Sequence, residues 1–216
     1  VEAGGFVPSG VYDADGADGD DFRTVGGDYY KPTDADYEAN CDEARQLLAD
    51  AGYPNGEGFP VVEYLYNTSD AHKAVAEALQ FMWEEELGVK VTLNNQEWAA
   101  FLQTRKDGDY SIARNGWIAD YNDPISFLDM WMTGGGNNDA QYANDDYDAL
   151  IKQAKTTTDN AERMDLLHQA EDKLIGEDSV LAPLYFYTQK YMLADGIEGM
   201  YYCPLGYFFF GYTHQA

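Results

Sequence analysis

Val61-Val62-Glu63-Tyr64-Leu65-Tyr66, the stretch Ser69 to Leu87, and Val89-Lys90-Val91-Thr92-Leu93 follow one another with little between them. The first six residues are rich in β-branched and aromatic side chains and read as a strand. Val75, Ala78, Leu79 and Met82 recur at three- and four-residue spacing, which predicts one apolar face of a helix that stops at Gly88. The last five residues read as a second strand. Strand, helix and strand in succession are the unit of an α/β layered domain. Upstream, Thr33 or Asp34 can cap a helix carrying Ala44, Leu47, Leu48 and Ala51, ended by Gly52 and turned by Pro54-Asn55-Gly56. Downstream, a short helix through Trp98, Phe101 and Leu102 leads to a third strand near Tyr110–Arg114. The order α-β-α-β-α-β predicts a sheet flanked by helices.

Beyond it, Asp123-Pro124 pairs an N-cap with proline at the first helical position. Gly134-Gly135-Gly136-Asn137-Asn138 must be a loop, and two helices are expected near Asp145–Lys155 and Asp159–Ile175, the second capped by Asp159. The first thirty residues read as loop, with regular structure after Pro32. The chain opens at Val1 with no initiator Met and no basic leader, as expected of a mature form or an excised piece. Tyr201 to Tyr212 holds Tyr, Phe, Gly, Pro and Leu with no charge. A strand with aromatics on both faces wants a covered sheet, so this tail is expected to join a sheet that belongs to something else.

The 216 residues carry 39 acidic and 13 basic side chains, a net charge of −26. Phosphate affinity needs clustered Lys and Arg, so nucleic acid is excluded as a partner and anionic membrane surfaces are disfavoured. The charge implies a salt-adapted or an acidic extracellular surface. Aromatics at 15% give enough apolar surface to exclude disorder. No apolar run reaches the roughly 18 residues that a membrane span needs. Cys41 and Cys203 form neither a Cys-x-x-Cys pair nor a disulfide framework.

Local enzyme and metal signatures are missing. His72, His168 and His214 lie outside zinc-ligand spacing of one another and of the cysteines, and there is no Gly-x-Ser-x-Gly elbow, Walker loop or Rossmann fingerprint. The acidic loop Asp13–Asp21 is the one calcium candidate, through Asp13, Asp15 and Asp18, because hard cations want several carboxylates on a flexible turn. It departs from the EF-hand pattern at Ala17 and lacks a closing Glu, and a solvated loop explains it equally. Asn67-Thr68-Ser69 matches a glycosylation acceptor, a short and common pattern. Asp120 and Asp123 invite an acid/base reading, but Asp123 is explained as an N-cap, and one carboxylate does not make a two-carboxylate hydrolase.

Longer motifs are more specific. Gln96-Glu97-Trp98-Ala99-Ala100-Phe101-Leu102-Gln103-Thr104-Arg105, followed by Gly108 through Gly116-Trp117-Ile118-Ala119-Asp120 to Pro124, closely resembles the C-terminal lobe of the oligopeptide-binding proteins that serve ABC importers, the family 5 extracellular solute-binding proteins. Gly4–Gly10, Leu47–Gly58, Tyr66–Lys73, Asn138–Tyr147, Arg163–Glu171, Pro183–Tyr187 and Pro204-Leu205-Gly206-Tyr207 extend the resemblance over essentially the whole chain.

The resemblance implies a periplasmic-binding-protein type II-like α/β lobe with a mixed sheet. Residues 1–189 would form the C-terminal peptide-binding lobe, and 190–216 a tail that returns to an N-terminal lobe missing here. The implied function is oligopeptide capture, without catalysis or cofactor. The same architecture also serves oligosaccharide, nickel and haem ligands, so fold alone does not choose. By position, Asp120 corresponds to the acidic residue that receives a peptide's α-ammonium. Arg105, Arg114 and His72 correspond to positions on the carboxylate side, and Trp98 and Trp117 to pocket aromatics. The segment Tyr110–Trp117, with Gly116 and then Ala119, would pair its backbone with the ligand. Taken alone, the two Trp and Arg105 read as core and helix-end residues, whereas Arg114 and Asp120, beside Trp and Gly, do not read as packing residues. The implied partners are short peptides and ABC permease subunits. The implied setting is a monomer outside the cytoplasmic membrane, lipid-anchored through the missing N-terminus. Ile118 stands where some relatives carry a paired cysteine, and the loop Asp13–Asp21 is longer than usual.

Overall fold

The computed structural model describes residues 1–30, 33–203 and 206–216. Pro32 and the Pro204-Leu205 pair of the closing motif therefore lie outside the described residues. The chain divides into two compact units, one of Tyr30–Gly116 with Met130–Asp145, the other of Val1–Tyr29, Trp117–Asp129 and Asp146–Ala216.

The first unit is built on the predicted strand–helix–strand. β1 (Val62–Asn67) lies between β2 (Val91–Gln96) and β3 (Ile112–Ala113), and both pairings are parallel. Val62 sits opposite Val91 and Asn67 opposite Gln96, while Tyr64 and Leu65 face Ile112 and Ala113. The crossover α3 (Asp70–Leu87) ends at Gly88, whose φ of 67° is a left-handed cap. A Cβ there would collide with the carbonyl of Asn55, so the Pro54-Asn55-Gly56 turn can rest on the cap only because residue 88 is glycine.

Strand alternation puts Tyr64 and Tyr66 on the face covered by α3, with Val89 and Val91 beside them. The helix meets this face through Ala76, Leu79, Trp83 and Leu87. The expected face of Val75, Ala78, Leu79 and Met82 is thus rotated, and Ala78 and Met82 point to solvent. Size explains the rotation. Trp83, edge-on to Tyr64 at 6.4 Å, and Leu87 bury more apolar area than Ala78 and Met82 would. α2 (Tyr37–Asp50) starts after Asp36 rather than at Thr33 or Asp34, and the Thr33 hydroxyl instead donates to the Asp36 carboxylate at 2.5 Å. Its Leu48 joins the core while Leu47 stays exposed. α4 (Trp98–Asp107) packs on β1 and β2, its Phe101 fully buried.

The second unit is helical. α1 (Phe22–Gly26) is capped by Asp21, which accepts from the Thr24 and Gly10 amides. α5 (Ile125–Leu128), α6 (Asp145–Ala154) and α7 (Asn160–Glu171) supply Phe127, Leu128, Tyr147, Ile151 and Leu167 to a second core. Asp159 caps α7 through the Glu162 amide, as expected. The helix does not stay α-helical to Ile175, but widens into a π-helical turn over Asp172–Glu177. Glu171, at its end, is fully buried and takes two bonds from Arg23 at 2.8 and 3.0 Å and two from the Phe6 and Val7 amides. Antiparallel pairing occurs in the tail, β4 (Ile197–Glu198) with β7 (His214–Gln215) and β5 (Tyr201–Cys203) with β6 (Tyr207–Phe209), and at two isolated bridges. Parallel and antiparallel pairs therefore sit in separate sheets. Among the described residues no helix is long and apolar enough to cross a membrane.

Candidate ligand site

In an open parallel sheet, ligands collect outside the carboxyl ends of the strands, where the strand order reverses. Here the chain runs from β1 to β2 on one side and returns to β3 on the other, so the reversal falls at β1 and β3. Asn67 closes β1, His72 lies in the first turn of α3, and Arg114 follows β3, its amide still bonded to the Leu65 carbonyl at 2.8 Å. The Arg114 guanidinium donates to the Asn67 side chain at 3.4 Å. Burial holds the His72 imidazole below its ordinary pKa, the Arg114 charge lowers it further, and a bond with the Asn67 backbone opposes both in part. Asn67 is buried and holds Arg114, which removes it from consideration as a glycosylation acceptor. Sequence reading passed over its role because an Asn before Thr-Ser carries no local sign of an arginine partner.

Arg105 belongs to the same unit. Its Nε lies 2.7 Å from Asp139 Oδ2, and one terminal nitrogen reaches Asn115 Oδ1 at 2.9 Å and the Arg114 carbonyl at 3.5 Å. The guanidinium stands 5.1 Å from the centroid of Phe101, on which the half-exposed Trp98 stacks. Asp139 directly follows the expected loop Gly134–Asn138, which Asn138 fastens through the carbonyls of Trp131, Met132 and Tyr142. Tyr110 adds a bond from its hydroxyl to the Asp139 carbonyl at 2.7 Å. Regular pairing in Tyr110–Trp117 is confined to Ile112–Ala113, shorter than the expected strand. This segment forms an edge of the sheet, so one side of its backbone faces no other described strand.

Trp117, Ala119 and Asp120 belong to the other unit, the division falling after Gly116. Ser126, buried in α5, organises them. Its carbonyl accepts from Trp117 Nε1 at 2.7 Å and its hydroxyl from the Asp120 amide at 2.9 Å. No sequence signal marks Ser126, because a serine two residues past an Asp-Pro helix start is unremarkable. The N-cap of α5 is Pro124, one residue later than expected, and Asp123 before it accepts from the Ile125 amide and forms a two-bond pair with Arg163 at 2.8 Å. The exposed carboxylate of Asp120 has no cationic partner among the described residues, unlike Asp123 and Asp129.

The calcium candidates lie on the loop before α1. Asp13 is buried against His168 at 2.8 Å, and that imidazole stacks on Phe22. Among the described residues no group of three or more His, Cys, Asp or Glu side chains could hold a metal ion. Cys41 and Cys203 are free thiols.

Known proteins resemble this chain across both units. Residues 9–139 match the family of bacterial extracellular solute-binding proteins, family 5. The dipeptide-binding protein DppE of Bacillus subtilis is 39% identical over 88% of the chain and 34% of its own length. A solved oligopeptide ABC transporter substrate-binding domain from Bacillus anthracis superposes with a TM-score of 0.76 at 28% identity, over 100% of this chain and 40% of that one. Listeria monocytogenes OppA bound to peptide gives 0.75 at 26%, over 99% and 40%. The chain thus spans about a third of the length of the curated relatives it matches. With its parallel sheet, its basic cluster at the carboxyl ends of the strands and a family match over more than half its length, the chain belongs to the family 5 bacterial extracellular solute-binding proteins.

Proposed function

We propose that this chain is the peptide-holding portion of an oligopeptide-binding protein that feeds an ABC importer outside the cytoplasmic membrane. It binds and releases its ligand without turnover. The observation that carries the reading is the grouping of Arg114 and His72 at the carboxyl ends of β1 and β3. A partly buried guanidinium is a strong receptor for a carboxylate. The exposed Asp120 carboxylate suits an α-ammonium by the same charge-assisted chemistry. The open edge at Ile112–Ala113 suits backbone pairing with an extended peptide, which tolerates any sequence because main-chain bonds supply the affinity. Trp98 and Trp117 line side-chain pockets, with Gly116 and Ala119 leaving room for the main chain. Residues 1–189 are assigned to the ligand-holding lobe and 190–216 to pairing with a further lobe. The partners are short peptides and permease subunits, and the protein works as a lipid-anchored monomer.

The test uses the intact protein and short peptides of free and blocked termini. Asp120→Ala and Arg114→Ala are each expected to weaken binding by about 2–5 kcal/mol. Blocking the peptide's amine should abolish the Asp120 effect, and amidating its carboxylate the Arg114 effect. Unchanged affinity in both variants would falsify the assignment.

A further inference from the structure

Residues 117–123 form neither helix nor strand, so no ladder of backbone bonds fixes where their side chains stand. Bonds from individual residues do it instead. At the far end, Asp123 is paired with Arg163, and Asn122 accepts from the Tyr12 amide at 2.8 Å and donates to the Gly10 carbonyl at 3.1 Å. At the near end, the Trp117 indole donates to the Ser126 carbonyl at 2.7 Å. Asp120 lies between these ties with its side chain in solvent, and the bond that reaches it runs from its own amide to the Ser126 hydroxyl at 2.9 Å. Ser126 is a fixed point. It is 4% exposed between the buried Ile125 and Phe127, and its amide donates to the Asp123 carbonyl at 3.1 Å. One residue thus holds Trp117 through its main chain and Asp120 through its side chain. The first hold survives any substitution that keeps the fold, whereas the second depends on a single oxygen atom.

We infer that Ser126 is a positioning residue whose hydroxyl sets the Asp120 carboxylate in place before a ligand arrives. The inference rests on the proposed peptide-binding function, in which Asp120 receives an α-ammonium. A charge-assisted bond demands a narrow range of distance and angle. A receptor on an irregular segment must therefore be held in advance, or binding carries the entropy of ordering it. With its amide bonded to Ser126, Asp120 keeps only the freedom of its own side-chain torsions. The preference for a free amine over a blocked one then depends on a buried serine that touches no ligand.

Two measurements on the intact protein test this. The first is affinity for one short peptide, with its amine free and acetylated, in wild type, Ser126→Ala, Asp120→Ala and the double variant. Ser126→Ala should lower the amine-over-acetyl ratio roughly three- to tenfold, the worth of about one hydrogen bond, while the acetylated peptide binds as before. In the Asp120→Ala background the same substitution should leave the ratio unchanged, because the group it positions is gone. A ratio unmoved by Ser126→Ala, both peptides weakened alike, or a further fall of the ratio in the double variant overturns the inference and reduces Ser126 to a packing residue. The second measurement needs no peptide. The Asp120 amide proton, followed by NMR, should exchange slowly in wild type and on the order of tenfold faster in Ser126→Ala, as expected when the bond that protects it is lost. Fast exchange in the wild type overturns the positioning role directly. A slow Asp120 amide together with an amine-over-acetyl ratio that Asp120→Ala does not move instead sinks the amine assignment of the proposed function, and the role of Ser126 falls with it.

Discussion

The sheet unit and the aromatic tail use similar residues to opposite effect. Tyr64 and Tyr66 in β1 are each 4% exposed, whereas Tyr201 and Tyr207 in the tail ribbon are 60% and 64% exposed. Composition does not separate them. β1 is six residues long, paired on both edges and covered by α3, so each of its tyrosines meets a neighbouring element. Among the described residues the ribbon of β5 and β6 pairs only with itself over three residues, and its aromatics mostly stack on one another, as Tyr201 does on Phe209 at 5.0 Å. A two-stranded ribbon has no second layer to bury a face against. Aromatic content thus states a demand for burial, and the element that meets it must come from elsewhere in the fold.

The sharpest way to break the contrast is to attack what holds each region. Glu171→Ala should cost about 3–5 kcal/mol in urea unfolding, because it leaves the Arg23 charge and the Phe6 and Val7 amides buried without their acceptor. Tyr64→Ala, in the sheet, is expected to cost about 3–5 kcal/mol through the cavity it leaves. A loss below about 1 kcal/mol at either position would mean that these regions are no better anchored than the tail.

Protonation probes the carboxyl ends of the strands. The folded state holds the His72 pKa below its ordinary value. The unfolded chain therefore takes up a proton near the ordinary value of about 6.5 while the folded chain resists it. Stability is then full above that pH and falls as the solution is acidified toward the folded-state value, with a slope of at most about 1.4 kcal/mol per pH unit. His72→Gln should flatten that part of the pH profile. An unchanged slope would place the titrating group elsewhere.

The smallest effect is expected in the tail. Tyr207→Ala should change stability by less than about 0.5 kcal/mol, since little of that side chain leaves water. A loss comparable to that of Tyr64→Ala would show the ribbon to be packed as tightly as β1.

Much of the fold was legible in the chain because its signals are local. The strand β1, the helix α3 with its Gly88 stop and the Asp159 cap depend on residues within one turn of each other. The rotation of α3 was not legible, since a helix with apolar residues on two adjacent stripes turns whichever stripe best fills the partner's surface, and Trp83 meeting Tyr64 is a fact about that partner. Likewise the motif through Asp120 marks the residues that carry charge, whereas the Ser126 that orients their backbone has no pattern of its own.

The α/β alternation, the acidic surface, the helix stops and the family to which the chain belongs were readable along the chain, because each rests on spacing, composition or an ordered run of motifs. That Arg105 is joined to Asp139, that Asn67 holds Arg114 and that Glu171 closes over Arg23 emerged from the folded chain alone. These partners lie 34, 47 and 148 residues apart. Ion pairing depends on distance and dehydration in space, and chain separation carries no information about either.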